Sequence, residues 1–138
     1  MTALLDTNVL LALAWPNHQH HALAHRWFSR EAGRGWATCS VTELGFIRLA
    51  SNPAYTSEAV RPEEAASLLS RFRDRSSHRF WRSPAACRPE IYVHAMGHQQ
   101  VTDAWLVEVA IHNKGRVATL DQRMKVHDSS GKVVVVIT

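Results

Sequence analysis

Four carboxylates in this chain have the type and placement to do chemistry together: Asp6, Glu43, Asp103 and Asp121. Asp6 follows a short apolar run, Ala3-Leu4-Leu5, and Asp121 follows another, Val117-Ala118-Thr119-Leu120. Glu43 stands a few residues after a third run, residues 36–39, and Asp103 falls in the first turn of a strongly apolar helical stretch. In an open parallel sheet such positions share one edge, where ligands bind outside the carboxyl ends of the strands. Carboxylates gathered there repel, and one of them protonates unless a cation intervenes. A hard divalent ion prefers oxygen ligands, can activate water toward a phosphodiester, and offsets charge developing on phosphate oxygens. Each acid also has a plainer reading. Asp6 can cap a helix or make a turn, and Ser40 with Glu43 spells the S-x-x-E capping box. Capping explains the acids singly, but not why the first and the fourth strand both end on Asp.

The elements that must position these acids alternate as strand and helix. Residues 3–5 form a first strand and Val9, Leu10 and Leu13 a first helix, which Pro16 stops. Asn17 is the expected N-cap of a second helix over residues 18–32. Residues 36–39 read as a second strand, followed by a helix from Ser40 that stops before Asn52-Pro53. Pro62-Glu63-Glu64 opens another helix, with proline and acids where its N-terminus favours them. Phe80-Trp81-Arg82 is the expected third strand, with core packing the expected role of both aromatics. Residues 89–98 read as a short helix leading into a loop. The helix from Val101 is interrupted only by Glu108 and is expected to be buried on most sides. Asn113-Lys114-Gly115 stops it. After the fourth strand come a short helix from Gln122 and a β-branched run, residues 133–137, of the kind that fits a buried parallel strand.

Composition narrows the class. The chain has 138 residues, of which 46% are hydrophobic, enough for one domain with a proper core. No apolar run approaches the roughly 20 residues of a membrane span. No basic segment precedes an apolar stretch at the N-terminus, so a cytoplasmic protein without a secretory leader is expected. Cys39 and Cys87 lack metal-ligand spacing and read as buried thiols. Net charge is +4, and only three of the sixteen basic residues are lysine. Arginine presents a planar fork of donors suited to phosphate. Arg71, Arg73, Arg75, Arg79, Arg82 and Arg88 crowd one region, a solvated face or a nucleic-acid contact. His18, His21 and His25 share a helix face. Zinc is conceivable there, but surface or cap histidines are the expected account.

L-L-D-T-N at residues 4–8, T-E-L at 42–44, V-T-D-A at 101–104 and A-T-L-D at 118–121 resemble the acidic signature of PIN-domain ribonucleases. Spacing and length are most similar to the VapC toxins of bacterial toxin–antitoxin pairs, and the resemblance covers essentially the whole chain. It implies one PIN-like nuclease domain over residues 1–138, built as a three-layer α/β/α sandwich around a mostly parallel sheet. It further implies an endoribonuclease dependent on Mg²⁺ (or Mn²⁺), an RNA substrate, a cognate VapB-type antitoxin and a homodimer. Asp6 and Asp103 match direct metal ligands, and Glu43 and Asp121 match residues that hold water. Thr7, Asn8, Thr102 and Thr119 would support them, and Arg73, Arg75 and Arg79 would bind RNA. Where some relatives carry another acid after the last Asp, this chain has Gln122 and Arg123, which argues against a fully occupied second metal site.

Three other readings compete. One is a PIN-like nuclease acting on DNA or in RNA processing without an antitoxin. Another is a phosphoacceptor receiver domain, which would need paired acids near the first strand and a lysine after a late one; Asp6 stands alone, and Lys125 and Lys132 are poorly placed. The last is a non-catalytic RNA-binding scaffold, for which four acids in a phosphate-binding cleft would be a poor choice.

Overall fold

The structure is a computed structural model that describes residues 1–75, 77–84 and 86–138. Ten main elements follow in chain order: β1 (Ala3–Leu5), α1 (Thr7–Ala14), α2 (His21–Glu31), β2 (Trp36–Cys39), α3 (Ser40–Ala50), α4 (Pro62–Arg73), β3 (His78–Trp81), α5 (Val101–His112), β4 (Arg116–Thr119) and β5 (Val134–Val136). The five strands pair in parallel in the order β3-β2-β1-β4-β5. Side chains that alternate between the two faces of these short strands feed two cores. Ala3, Leu5, Trp36 and Ala118 pack with α1 to α4 on one face, while Leu4, Ala37, Cys39 and Val117 pack with α5 and Met124 on the other. This is the three-layer α/β/α sandwich. The chain winds outward from β1 to β3, then returns through α5 to β4, so the strand order reverses between β1 and β4. Crevices for ligands open at such a reversal, outside the carboxyl ends of the strands. No helix among the described residues is long and apolar enough to cross a membrane.

Several local expectations change. The second helix starts at His21 and not at residue 18, without a side-chain cap. The backbone N–H of His20 is taken by the His18 ring at 3.0 Å, a local bond that competes with helix initiation. Helix α3 is capped by Cys39 and Thr42, not by Ser40 and Glu43: the Cys39 N–H donates to the Thr42 hydroxyl at 3.1 Å. Strand β3 begins at His78 and leaves Arg82 outside. Its Trp81 is buried as expected, but Phe80 is exposed. Residues 89–98 hold only a 3-10 turn, Pro89–Tyr92, with a second at His98–Gln100. Strand β5 is an edge strand and only half-buried, with no strand among the described residues pairing beyond it. On α5 the core face is Ala104, Leu106, Val107, Val109 and Ala110, whereas Val101 and Ile111 are exposed. Cys39 is buried, but Cys87 is exposed.

Candidate active site

Asp6 leaves β1 as the N-cap of α1, its Oδ1 accepting the Thr7 N–H at 2.7 Å. Its Oδ2 accepts the Thr119 hydroxyl from the end of β4 at 2.7 Å, so one carboxylate joins the two strands at the reversal. Asn8 completes the junction. Its amide donates to the Thr119 hydroxyl at 3.3 Å, and its carbonyl oxygen accepts the Leu120 N–H at 3.2 Å. Both Asp6 and Thr119 are buried. Thr7 holds a different seam, donating to the Thr42 carbonyl of α3 at 3.3 Å. Thr102 is exposed and makes no side-chain bond to the acids among the described residues.

The acids fall into two electrostatic kinds. Asp6 has its pKa pushed up to about 6, first by burial and then by the charges of Asp103 and Asp121, against the pull of its Thr119 and Thr7 hydrogen bonds. Asp103, in the first turn of α5, is also raised, by burial and then by Asp121. Neither has an ion pair among the described residues. Asp121 is the opposite case. Arg123 forks onto it with Nε at 3.0 Å from Oδ1 and Nη2 at 2.8 Å from Oδ2, and this holds the carboxyl below its ordinary value. Asp103, Asp121 and Arg123 line a cavity of about 350 Å³ with Gln99 and Gln100. His127 faces this region from the turn after β4; burial lowers its pKa while Asp103 pulls it up. Its ring nitrogens are buried with no hydrogen-bond partner among the described residues.

Glu43 belongs to a separate network. Its Oε2 accepts the Thr38 hydroxyl at 2.6 Å, and Arg73 Nη1 lies 3.0 and 3.2 Å from its two oxygens. Thr38 also meets His78 Nε2 at 2.8 Å. The structure therefore brings Asp6, Asp103 and Asp121 within mutual influence, while Glu43 is held by Thr38 and by its own guanidinium, Arg73. Of the arginines expected to touch RNA, Arg73 is committed to Glu43. Arg75 lies over the Phe72 ring at 4.9 Å from its centroid, and Arg79 is exposed on β3. The His21 ring lies 5.6 Å from that of His25 but bonds the Ala12 carbonyl at 2.8 Å, and with His18 the two make no three-ligand metal group among the described residues. Among the described residues no three His, Cys, Asp or Glu side chains form a metal-binding group.

Sequence reasoning passed over Thr38 and His78. The available signal was a lone hydroxyl in the apolar strand 36–39, since a buried polar group needs a partner.

The PIN domain family matches residues 3–129 of this chain. The chain is 38% identical over 142 aligned positions to Ribonuclease VapC39 of Mycobacterium tuberculosis (strain ATCC 25618 / H37Rv), covering 98% of this chain and 99% of that protein. It is 40% identical over 119 positions to Ribonuclease VapC38 of the same strain, covering 86% of this chain and 84% of the relative. Among solved structures, VapBC2 from Rickettsia felis bound to a DNA fragment from their promoter aligns with a TM-score of 0.67 over 100% of both chains, at 15% identity. At that identity the likeness speaks to the fold.

Proposed function

The chain belongs to the PIN-domain family, and on that footing we propose that it is a Mg²⁺- or Mn²⁺-dependent endoribonuclease, the toxin half of a VapBC-type toxin–antitoxin pair acting in the cytoplasm. Residues 1–138 act as one PIN-like nuclease domain. Its partners are an RNA substrate, a VapB-type antitoxin and a second copy of the chain. The relatives supply the substrate class, since the proteins that this chain resembles over nearly its whole length are named ribonucleases.

The observation that carries the mechanism is the pair Asp6 and Asp103. They are two carboxyls at the strand reversal, both pushed up by burial and by neighbouring acids; His127 and Arg123 pull Asp103 back only in part, and neither carboxyl has a direct ion pair among the described residues. An all-oxygen donor pair of this kind fits a hard cation. The lack of a third grouped ligand is no obstacle, because Mg²⁺ is commonly held by one or two carboxylates while water and substrate phosphate complete its shell. When bound there, the ion supplies Lewis-acid stabilisation of phosphate charge and acidifies water. The chain's own residues supply the rest. The Thr119 hydroxyl and the Thr7 N–H hold the Asp6 carboxylate in one orientation across β1 and β4, and Asn8 in turn holds Thr119. Glu43 and Asp121 orient water and accept protons. Arg75 and Arg79 guide the RNA backbone, while Arg73 stays with Glu43.

The deciding experiment is cleavage of RNA by purified protein in excess chelator, then with Mg²⁺ or Mn²⁺ restored. Cleavage should disappear and return. Undiminished cleavage in chelator would remove the metal from the mechanism, and no cleavage under any condition would remove the ribonuclease reading itself.

A further inference from the structure

Thr38 is fully buried in β2, and its single O–H proton is committed. The bond to Glu43 Oε2, at 2.6 Å, runs to a carboxylate paired with Arg73, and a carboxylate can only accept. Thr38 therefore donates there. Its oxygen is left to accept, and the group 2.8 Å away is His78 Nε2. For that contact to be a hydrogen bond, His78 must carry its proton on Nε2. The strand register makes this encounter possible. His78 pairs with Trp36 in the parallel β2–β3 ladder, which sets its ring 4.5 Å from the Trp36 ring and within reach of Thr38 two residues on. On the far side of the carboxylate, Arg73 Nη1 contacts both oxygens. Glu43 is thus gripped from β2 and β3 on one side and from α4 on the other. It does none of the capping work its sequence position suggests.

We propose that Thr38 and His78 are positioning residues for the reaction. The directed chain from His78 Nε2–H through the Thr38 hydroxyl to Glu43 Oε2 fixes the orientation of the Glu43 carboxylate, while Arg73 holds its charge. This rests on the reading of Glu43 as a residue that orients water or accepts a proton. A carboxylate free to rotate about its last torsion would present either oxygen. Here Oε2 accepts from both Thr38 and Arg73, whereas Oε1 accepts from Arg73 alone and keeps a lone pair for its task. Partners of this kind act through the group they hold, and their removal typically costs 10–100-fold in activity.

Two measurements test the inference. The first is independent of activity: nitrogen-15 NMR of the histidine rings should show His78 as the Nε2-protonated tautomer with a hydrogen-bonded proton, and Thr38→Val should abolish that signature. A His78 ring protonated on Nδ1 alone in the wild type overturns the proposal. The second is cleavage of total bacterial RNA with Mn²⁺, at saturating and limiting RNA. Thr38→Val and His78→Phe should lower the saturated rate about 10–100-fold with half-saturation unchanged, while Thr38→Ser, which keeps the hydroxyl, should match the wild type. Thr38→Val combined with Glu43→Gln should be no slower than Glu43→Gln alone. If the two effects multiply, or if Thr38→Val retains the wild-type rate while Glu43→Gln does not, the proposal fails and the proposed activity stands. If Glu43→Gln itself cleaves at the wild-type rate, Glu43 has no part in the reaction and the positioning role falls with it. A wild type that cleaves no RNA defeats the ribonuclease reading, and the tautomer signature then still decides whether the directed chain exists.

Discussion

Without a cation, Asp6 works against the fold that buries it. An unfolded aspartate ionises near 3.8, whereas in the folded chain burial, with Asp103 and Asp121 behind it, pushes Asp6 up to about 6. The folded state therefore holds this proton more tightly than the unfolded state does. The contribution of Asp6 is fully present below pH 3.8 and is lost as pH rises through about 6, a swing of roughly 3 kcal/mol. His18, His78 and His127 have lowered pKa values and oppose it in an adjacent window, since they disfavour the fold as pH falls below their ordinary value. Subtraction isolates the aspartate. In chelator, the stability of Asp6→Asn minus that of wild type should increase by up to about 3 kcal/mol between pH 4 and pH 7, measured by denaturant unfolding. A flat difference would mean that Asp6 is not an isolated buried charge. Saturating Mn²⁺ should then stabilise the wild type, while the variant should gain little and should lose RNA cleavage. The four acids were legible in the sequence because each follows a strand or opens a helix. Their division was not: whether an acid meets an arginine depends on side chains such as Arg73 and Arg123, whose reach no spacing rule reveals.

At the level of elements, the site depends on how closely α1 approaches α3. A Cβ built at Gly45 would sit 2.6 Å from the Thr7 hydroxyl, which is bonded to the Thr42 carbonyl. Gly45→Ala should push Thr7 aside, break that bond and shift the first turn of α1, which Asp6 caps. A destabilisation of about 1–3 kcal/mol is expected from overpacking. The strain is specific to one neighbour, so Thr7→Ala should relieve much of it. A double-mutant cycle should show a coupling of about 0.5–3 kcal/mol, and strict additivity would locate the cost elsewhere. Gly33→Ala, where a Cβ meets nothing, is the control. The same helix shows why boundaries were harder to read than elements. S-x-x-E is a sound N-terminal signal, yet Cys39 and Thr42 supply the cap one residue earlier and free Glu43 for its network. Strand β3 starts two residues before the expected Phe80 and ends at Trp81 for a related reason. His78 is a weak strand former by composition and is recruited by pairing with Trp36 across the sheet, a long-range contact that local pattern cannot carry.

Across the whole molecule, charge is unevenly placed, and the net value of +4 understates it. Asp6, Asp103 and Asp121 are gathered near the ends of β1 and β4, which leaves the rest of the surface more basic. Strand order decides this distribution, and strand order was not legible: the five strands could be named from the sequence, but their arrangement as β3-β2-β1-β4-β5 depends on which apolar faces find each other. That order sets β3, with exposed Arg79 and the nearby Arg75, on the far flank of β2 from the acids of β1 and β4. A single RNA strand reaching Asp6 and Asp103 past Glu43 would cross this flank. Each phosphate neutralised by an arginine releases counterions, so each contact contributes about 0.7 to the log–log dependence of RNA affinity on salt. Arg75→Gln and Arg79→Gln should each flatten that slope by about this amount, read by fluorescence anisotropy of a single-stranded RNA in chelator, where cleavage is suppressed. Arg73 is different because its guanidinium is already engaged by Glu43. Arg73→Gln should change the slope less than the other two and lower the cleavage rate more. Slopes that stay parallel to the wild type in Arg75→Gln and Arg79→Gln would assign this flank to solvent or to the antitoxin, and the RNA path would have to be sought along α5 instead.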